Sequence, residues 1–206
     1  MGQPQGLPLR ELEKIMRVGF DNRNRRSIRL AGYDYSQAGY YFVTVCVNER
    51  RNLFGDIDGG KIMLNGVGIM VEDSWNKLQQ RFQFIELDEF IVMPNHLHGV
   101  IVIVGAPLVG AQNGDVIADD RNDRATTRVA PTLGDIIGAF KSITTNEYIR
   151  NVKNENWLPF DEYFWQRNYY EHVIRNDNDL NRIREYIVNN PVKWEEDEYY
   201  ASETKT

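Results

Sequence analysis

An α+β fold of the ferredoxin-like kind, an antiparallel sheet with helices on one face plus a further C-terminal helix, is predicted by three features of the sequence. First, an apolar run, Pro94-Asn95 and a second apolar run between Phe90 and Val104 read as two strands joined by a short turn, because Pro and Asn suit turns while Ile and Val suit strands. Second, two stretches carry apolar residues at three-to-four spacing, the mark of a helix with one buried face. Third, the elements follow the order strand, helix, two strands, helix, strand, helix. A strand-helix-strand repeated once is the ferredoxin-like plan.

Residues 1–24 form a polar extension with a weak helical pattern in Leu9, Leu12, Ile15 and Met16. Arg23, Arg25, Arg26 and Arg29 then make the densest basic cluster, read either as a solvated arm or as a phosphate-binding arm. Tyr40–Val47 is apolar on both faces and predicts a buried central strand. Asn65 can cap a helix through about Phe82, with Val67, Met70, Val71, Trp75 and Leu78 inward. The paired strands follow from about Phe84 to Val104. From about 105 to 131 the composition turns to Gly, Ala, Asn, Asp and Thr, which predicts a mobile surface insertion. Thr132 caps a second helix to about Val152, with Leu133, Ile136, Ile137, Phe140, Ile143 and Tyr148 as its apolar face. The aromatic stretch 160–174 fits an extended segment or edge strand. A final helix runs from about Asn178 to Asn190, capped by Asp177 and stopped by Pro191, and 196–206 reads as a polar tail.

The chain's 206 residues suit one domain with extensions, and 42% hydrophobic residues suffice for a core. No window approaches the ~20 apolar residues of a membrane span, and Met1–Arg10 lacks the apolar centre of a signal peptide, so a cytoplasmic protein is expected. A single cysteine, Cys46, lies inside an apolar run and reads as a small buried thiol. The net charge of -6 argues against a general duplex-DNA binder, so any nucleic-acid contact must be local.

Chemistry-bearing residues gather in two places. His96 and His98 are two apart on a strand and project to one side, with Leu97 turned away. They are either strand-end histidines or a metal half-site that needs a third partner. On the last helix Leu180, Ile183 and Ile187 take the buried stripe, so Tyr186 and Asn190 share an adjacent face with Arg182 one turn earlier. Asn190 offers a hard oxygen which, with two imidazole nitrogens and waters, suits magnesium or manganese. Tyr186 could reach a group bound to that ion, or be a packing tyrosine. Tyr169 and Tyr170 read as packing or base-stacking residues, and the Tyr170–His172 pair could also serve acid-base chemistry.

These motifs resemble a known family. His96-Leu97-His98 is similar to the His-hydrophobic-His motif of HUH endonucleases, and 184–194 is similar to the catalytic-tyrosine helix of single-tyrosine transposases. Met93–His98 and Trp165–Asn176 resemble the subgroup of REP-associated tyrosine transposases, and the likeness spans about 25–195. The resemblance implies a single-tyrosine transposase domain over 25–195 in which the last helix is catalytic. It implies His96, His98 and Asn190 as ligands of Mg2+ or Mn2+, and Tyr186 as the nucleophile. It further implies nicking and rejoining of single-stranded or hairpin DNA through a 5′-phosphotyrosine link, within one chain or across a homodimer. Many relatives in the wider group carry Gln at the third-ligand position, so Asn190 must reach with a shorter arm. Arg23, Arg25, Arg26, Arg29, Arg182, Tyr169 and Tyr170 are the candidate DNA contacts. The rival readings are a catalytically silent nucleic-acid-binding relative and a metal phosphodiesterase using water.

Overall fold

The computed structural model describes residues 32–105, 131–197 and 199–200. The arginine cluster at 23–29, nearly all of the insertion and residues 201–206 lie outside the described residues.

Strand β1 (Gly39–Cys46) is the centre of a four-stranded sheet. Its residues from Tyr41 onward are almost wholly buried, as expected of a strand covered on both faces. It pairs antiparallel with β5 (His96–Ile103) on one side and β6 (Tyr170–Ile174) on the other. Strand β4 (Ile85–Met93) closes onto β5 through Pro94-Asn95, so the order is β4-β5-β1-β6. That order is the ferredoxin-like sheet expected from the sequence. The aromatic segment contributes only its last five residues to the edge strand.

A two-stranded hairpin, β2 (Gly55–Asp58) and β3 (Lys61–Leu64), is an addition to the expected element order. Gly59 and Gly60, with φ of 55° and 75°, make its turn, the backbone that such tight hairpins require. Asn65 caps the first helix as expected, its Oδ1 accepting from the N–H groups of Val67 and Gly68. The expected single helix to Phe82 is instead two, α1 (Gly66–Asn76) and α2 (Leu78–Arg81). The break falls at Lys77, whose ψ of -7° departs from the helical value and buries Leu78. Thr132 and Asp135 form a capping box at the start of α3 (Leu133–Asn154).

Alternation along the strands splits the apolar residues into two cores. Val43, Val45, Leu97 and Ile101 face α1 and α3, where Trp75 meets Phe140 edge to face with ring centroids 5.3 Å apart. Gly99 is what lets the indole lie against β5: a Cβ there would come within 2.4 Å of Trp75. Phe42, Val100, Tyr170 and Ile174 face the other way and meet Leu180, Ile183 and Ile187 of α4 (Asp177–Asn189). Each of these three helix side chains contributes about 1.5–3 kcal/mol on burial. Helices α1 and α3 thus lie on one face of the sheet, and α4 lies on the other.

Candidate metal and nucleophile site

The alternation that sends Leu97 into the α1–α3 core turns His96 and His98 toward the α4 side. Both imidazoles are fully buried. Their Nε2 atoms converge to 2.9 Å, as the strand spacing predicts. Each ring is held from behind at Nδ1. His98 Nδ1 is 2.8 Å from the hydroxyl of Thr44, its register partner on β1. His96 Nδ1 is 2.9 Å from the carboxamide oxygen of Asn95, the second turn residue between β4 and β5. The nitrogen of that carboxamide donates to the backbone carbonyls of Arg50 and Tyr199, at 3.0 and 2.7 Å.

Helix α4 brings Tyr186 over this pair. The Tyr186 hydroxyl is 3.2 Å from His98 Nε2, and its ring stands edge-on to His98 at 5.2 Å. Asn190, just past the helix end, is 2% exposed. Its amide nitrogen donates to Asp197 Oδ2 at 3.0 Å, while its Oδ1 is buried with no hydrogen-bond partner among the described residues. A buried carbonyl oxygen without a donor is costly unless something else binds it.

Asp197 and Tyr199 fall within the segment expected to be a polar tail from 196 onward. Pro191 ends α4 and starts a 3-10 turn (Pro191–Glu196) that brings the chain back over the strand ends. Asp197 lies in a cluster with His96 and His98, their ligand atoms within 4.8 Å of one another. Tyr199 is fully buried with its ring 4.5 Å from that of His96. The sequence reading missed both residues. The only signal was the aromatic pair Tyr199-Tyr200 inside a charged stretch.

Burial pushes the His98 imidazole down to about 3. His96 is held well below the usual histidine range, first by burial and then by neighbouring His98 and Arg50. Both rings are therefore neutral at pH 7 and carry a lone pair each. Two imidazole nitrogens and a carboxylate, the latter hydrogen-bonded to the carboxamide of Asn190, are a donor set that fits a divalent ion of magnesium or manganese type.

The remaining candidates lie apart. Arg182 donates to Asp179 Oδ1 at 2.8 Å, and His172 Nε2 is 2.9 Å from Asp179 Oδ2, so this trio braces the first turns of α4. Tyr170 is 2% exposed and packs against Phe42. Tyr169 points to the opposite side of the sheet, where Lys141 Nζ lies 5.6 Å from its ring.

The β4-β5-β1-β6 sheet with helices on both faces is a fold that recurs in solved structures. A REP-associated tyrosine transposase bound to a REP hairpin shares it, with a TM-score of 0.51 and 20% identity over 82% of this chain and 74% of that one. The chain belongs to one family with a Haemophilus influenzae (strain ATCC 51907 / DSM 11121 / KW20 / Rd) protein described as uncharacterized. The two are 38% identical over 180 residues, covering 86% of this chain and 94% of the relative. No protein-family profile matches the chain. Among the described residues, no helix is long and apolar enough to cross a membrane.

Proposed function

We propose that this protein is a transposase-type HUH nuclease that nicks and rejoins single-stranded or hairpin DNA with Tyr186 as nucleophile. The observation that carries the reading is the Tyr186 hydroxyl at 3.2 Å from a His96–His98 pair that also gathers Asp197. His96 and His98, with oxygens from Asn190 and Asp197, would hold a magnesium or manganese ion. That ion would supply Lewis-acid polarisation and a template for the scissile phosphate. Tyr186 Oη forms a bond to phosphorus while the bond to the 3′ oxygen breaks; the phenolic proton passes to solvent and the 3′ oxygen takes one up. The product is a 5′-phosphotyrosine link and a free 3′ hydroxyl, and reversal of the step rejoins a strand without ATP. The His172–Asp179–Arg182 trio fixes the pitch of α4 and hence the position of Tyr186 one turn on.

The net charge of -6 suits recognition of a short structured single strand, which needs fewer phosphate contacts than a duplex. A protein acting on chromosomal DNA would work in the cytoplasm. The deciding experiment is denaturing electrophoresis of the protein with an end-labelled hairpin and Mn2+. A covalent adduct on Tyr186 supports the reading. Binding without cleavage would leave the silent-binder alternative, and cleavage without an adduct the water-using phosphodiesterase. The arginine arm is proposed to contact phosphates. Neutralising Arg23, Arg25, Arg26 and Arg29 should flatten the salt dependence of hairpin affinity by up to about 0.7 per lost contact.

A further inference from the structure

We infer that Asn95 is a positioning residue that presets His96 with its proton on Nδ1, leaving the Nε2 lone pair aimed into the site, whereas His98 is left able to change tautomer. The inference concerns the machinery behind the proposed metal site and takes from that reading only that the two Nε2 atoms face a ligand.

The orientation of the Asn95 carboxamide is dictated by its surroundings. Its Nδ2 faces two backbone carbonyls, Arg50 O at 3.0 Å and Tyr199 O at 2.7 Å, and a carbonyl can only accept. Turning the amide over would set a carbonyl oxygen against both and break two buried hydrogen bonds. The group is fully buried, so water cannot compensate. The Asn95 backbone is pinned as well, its carbonyl accepting the Val47 N–H at 2.9 Å. Oδ1 must therefore be the atom facing His96 Nδ1 at 2.9 Å. An amide oxygen only accepts, so Nδ1 must donate, and a neutral imidazole with its proton on Nδ1 has none on Nε2.

His98 is held differently. Its Nδ1 faces the Thr44 hydroxyl at 2.8 Å, and a hydroxyl can donate or accept by rotating. The 2.9 Å contact between the two Nε2 atoms needs one donor, and His96 cannot supply it. In the ion-free protein His98 therefore carries its proton on Nε2 and gives it to His96, while Thr44 donates to His98 Nδ1. For both Nε2 lone pairs to be free for a cation, His98 would carry its proton on Nδ1, with the Thr44 hydroxyl turned to accept it. Only one ring has to rearrange.

The test is histidine 15N spectroscopy of the whole protein, which has three histidines, with His172 assigned by a His172→Gln variant. In ion-free protein, His96 should show a protonated Nδ1 coupled across its hydrogen bond to the Asn95 side-chain carbonyl carbon, and an unprotonated Nε2. His98 should show the reverse pattern. Mg2+ should convert His98 and leave the His96 tautomer unchanged. Asn95→Ala should release the His96 tautomer in the ion-free spectrum and weaken Mn2+ binding by roughly 10- to 100-fold, the usual cost of losing such a supporting group. A His96 proton on Nε2 in the unaltered protein, or an Asn95→Ala protein with the His96 tautomer intact, overturns the inference. The unaltered protein's spectrum decides even where Asn95→Ala fails to fold. Should the ion-free pattern hold but neither Mg2+ nor Mn2+ bind, the metal reading falls while the role of Asn95 stands.

Discussion

The hydroxyl of Tyr186 sits 3.2 Å from Nε2 of His98, a contact between residues 88 apart in the chain. It makes Tyr186 the tyrosine to test as the DNA nucleophile. Tyr170 is buried against Phe42, and Tyr169 is turned to the other side of the sheet. Tyr186→Phe removes one hydroxyl and its 3.2 Å hydrogen bond to His98, so stability should change by about 1 kcal/mol. Hairpin binding should persist while the covalent adduct disappears. Tyr169→Phe and Tyr170→Phe should keep the adduct. Peptide mapping of an adduct to either of those positions would reject the assignment.

How much of this site the sequence reveals depends on the kind of periodicity each residue obeys. His96 and His98 obey the two-residue period of a strand, and Tyr186 and Asn190 the four-residue neighbourhood of a helix, so each pair's shared face is readable locally. The sheet order follows from the order of elements. Asp197 and Tyr199 obey no period: they arrive through an irregular turn after Pro191, and Tyr199 meets Asn95 across 104 residues. Asn95 itself reads as a turn residue, because nothing local shows that its side chain will be buried between two carbonyls. The β2–β3 hairpin escaped for a related reason: its strands are four residues each and only partly buried, too short for alternation to stand out.

A second prediction concerns the proposed metal ligands. Replacing His96 and His98 together with alanine should abolish Mn2+ binding measured by calorimetry. Asn190 and Asp197 are joined by a 3.0 Å hydrogen bond, so each holds the other in place. Asn190→Ala and Asp197→Ala should each weaken binding, and the double variant should lose less than the sum of the two. Strict additivity would mean that the two side chains act separately. No loss from either would confine the ion to the histidines.

The histidine pair should also set the acid limit of the ion-free protein. Both folded imidazoles lie below their ordinary value of 6.5, His98 at about 3 through burial and His96 well below the usual range through burial and then neighbouring His98 and Arg50. Below about 6.5 the unfolded chain takes up protons that the folded chain refuses. The stability is thus full above 6.5 and declines as pH falls toward about 3. Each imidazole costs at most about 1.4 kcal/mol per pH unit over that window. The melting temperature should therefore fall between pH 7 and pH 5, and a His96→Gln, His98→Gln variant should show a shallower fall. A flat profile over that range would mean that the folded imidazoles titrate normally.

The last prediction rests on the pair that docks the tyrosine helix. Arg184 on α4 reaches Asp88 with two parallel hydrogen bonds, 2.7 Å from Nε and 2.5 Å from Nη2. Asp88 stands where β4 bulges between Leu87 and Phe90, so its carboxylate leaves the sheet ladder and faces the helix. The Arg184 guanidinium bonded to it holds that carboxyl below its usual range. The arginine side chain is 39% exposed, so solvent weakens the pair and its loss should cost only about 0.5–1 kcal/mol. At this chain length that is a fall in melting temperature of about 1–4 °C for Asp88→Asn. The larger effect should be on the adduct rate, because α4 would lose its anchor to the edge strand next to β5 while His96 and His98 stay in place. Asp88, Arg184, Tyr186 and His98 all meet within one chain. Mixing a Tyr186→Phe protein with a His96→Ala, His98→Ala protein should accordingly give no adduct. Restored cleavage in the mixture would mean that a partner chain supplies the tyrosine helix, and that the Arg184–Asp88 anchor opens when two copies meet.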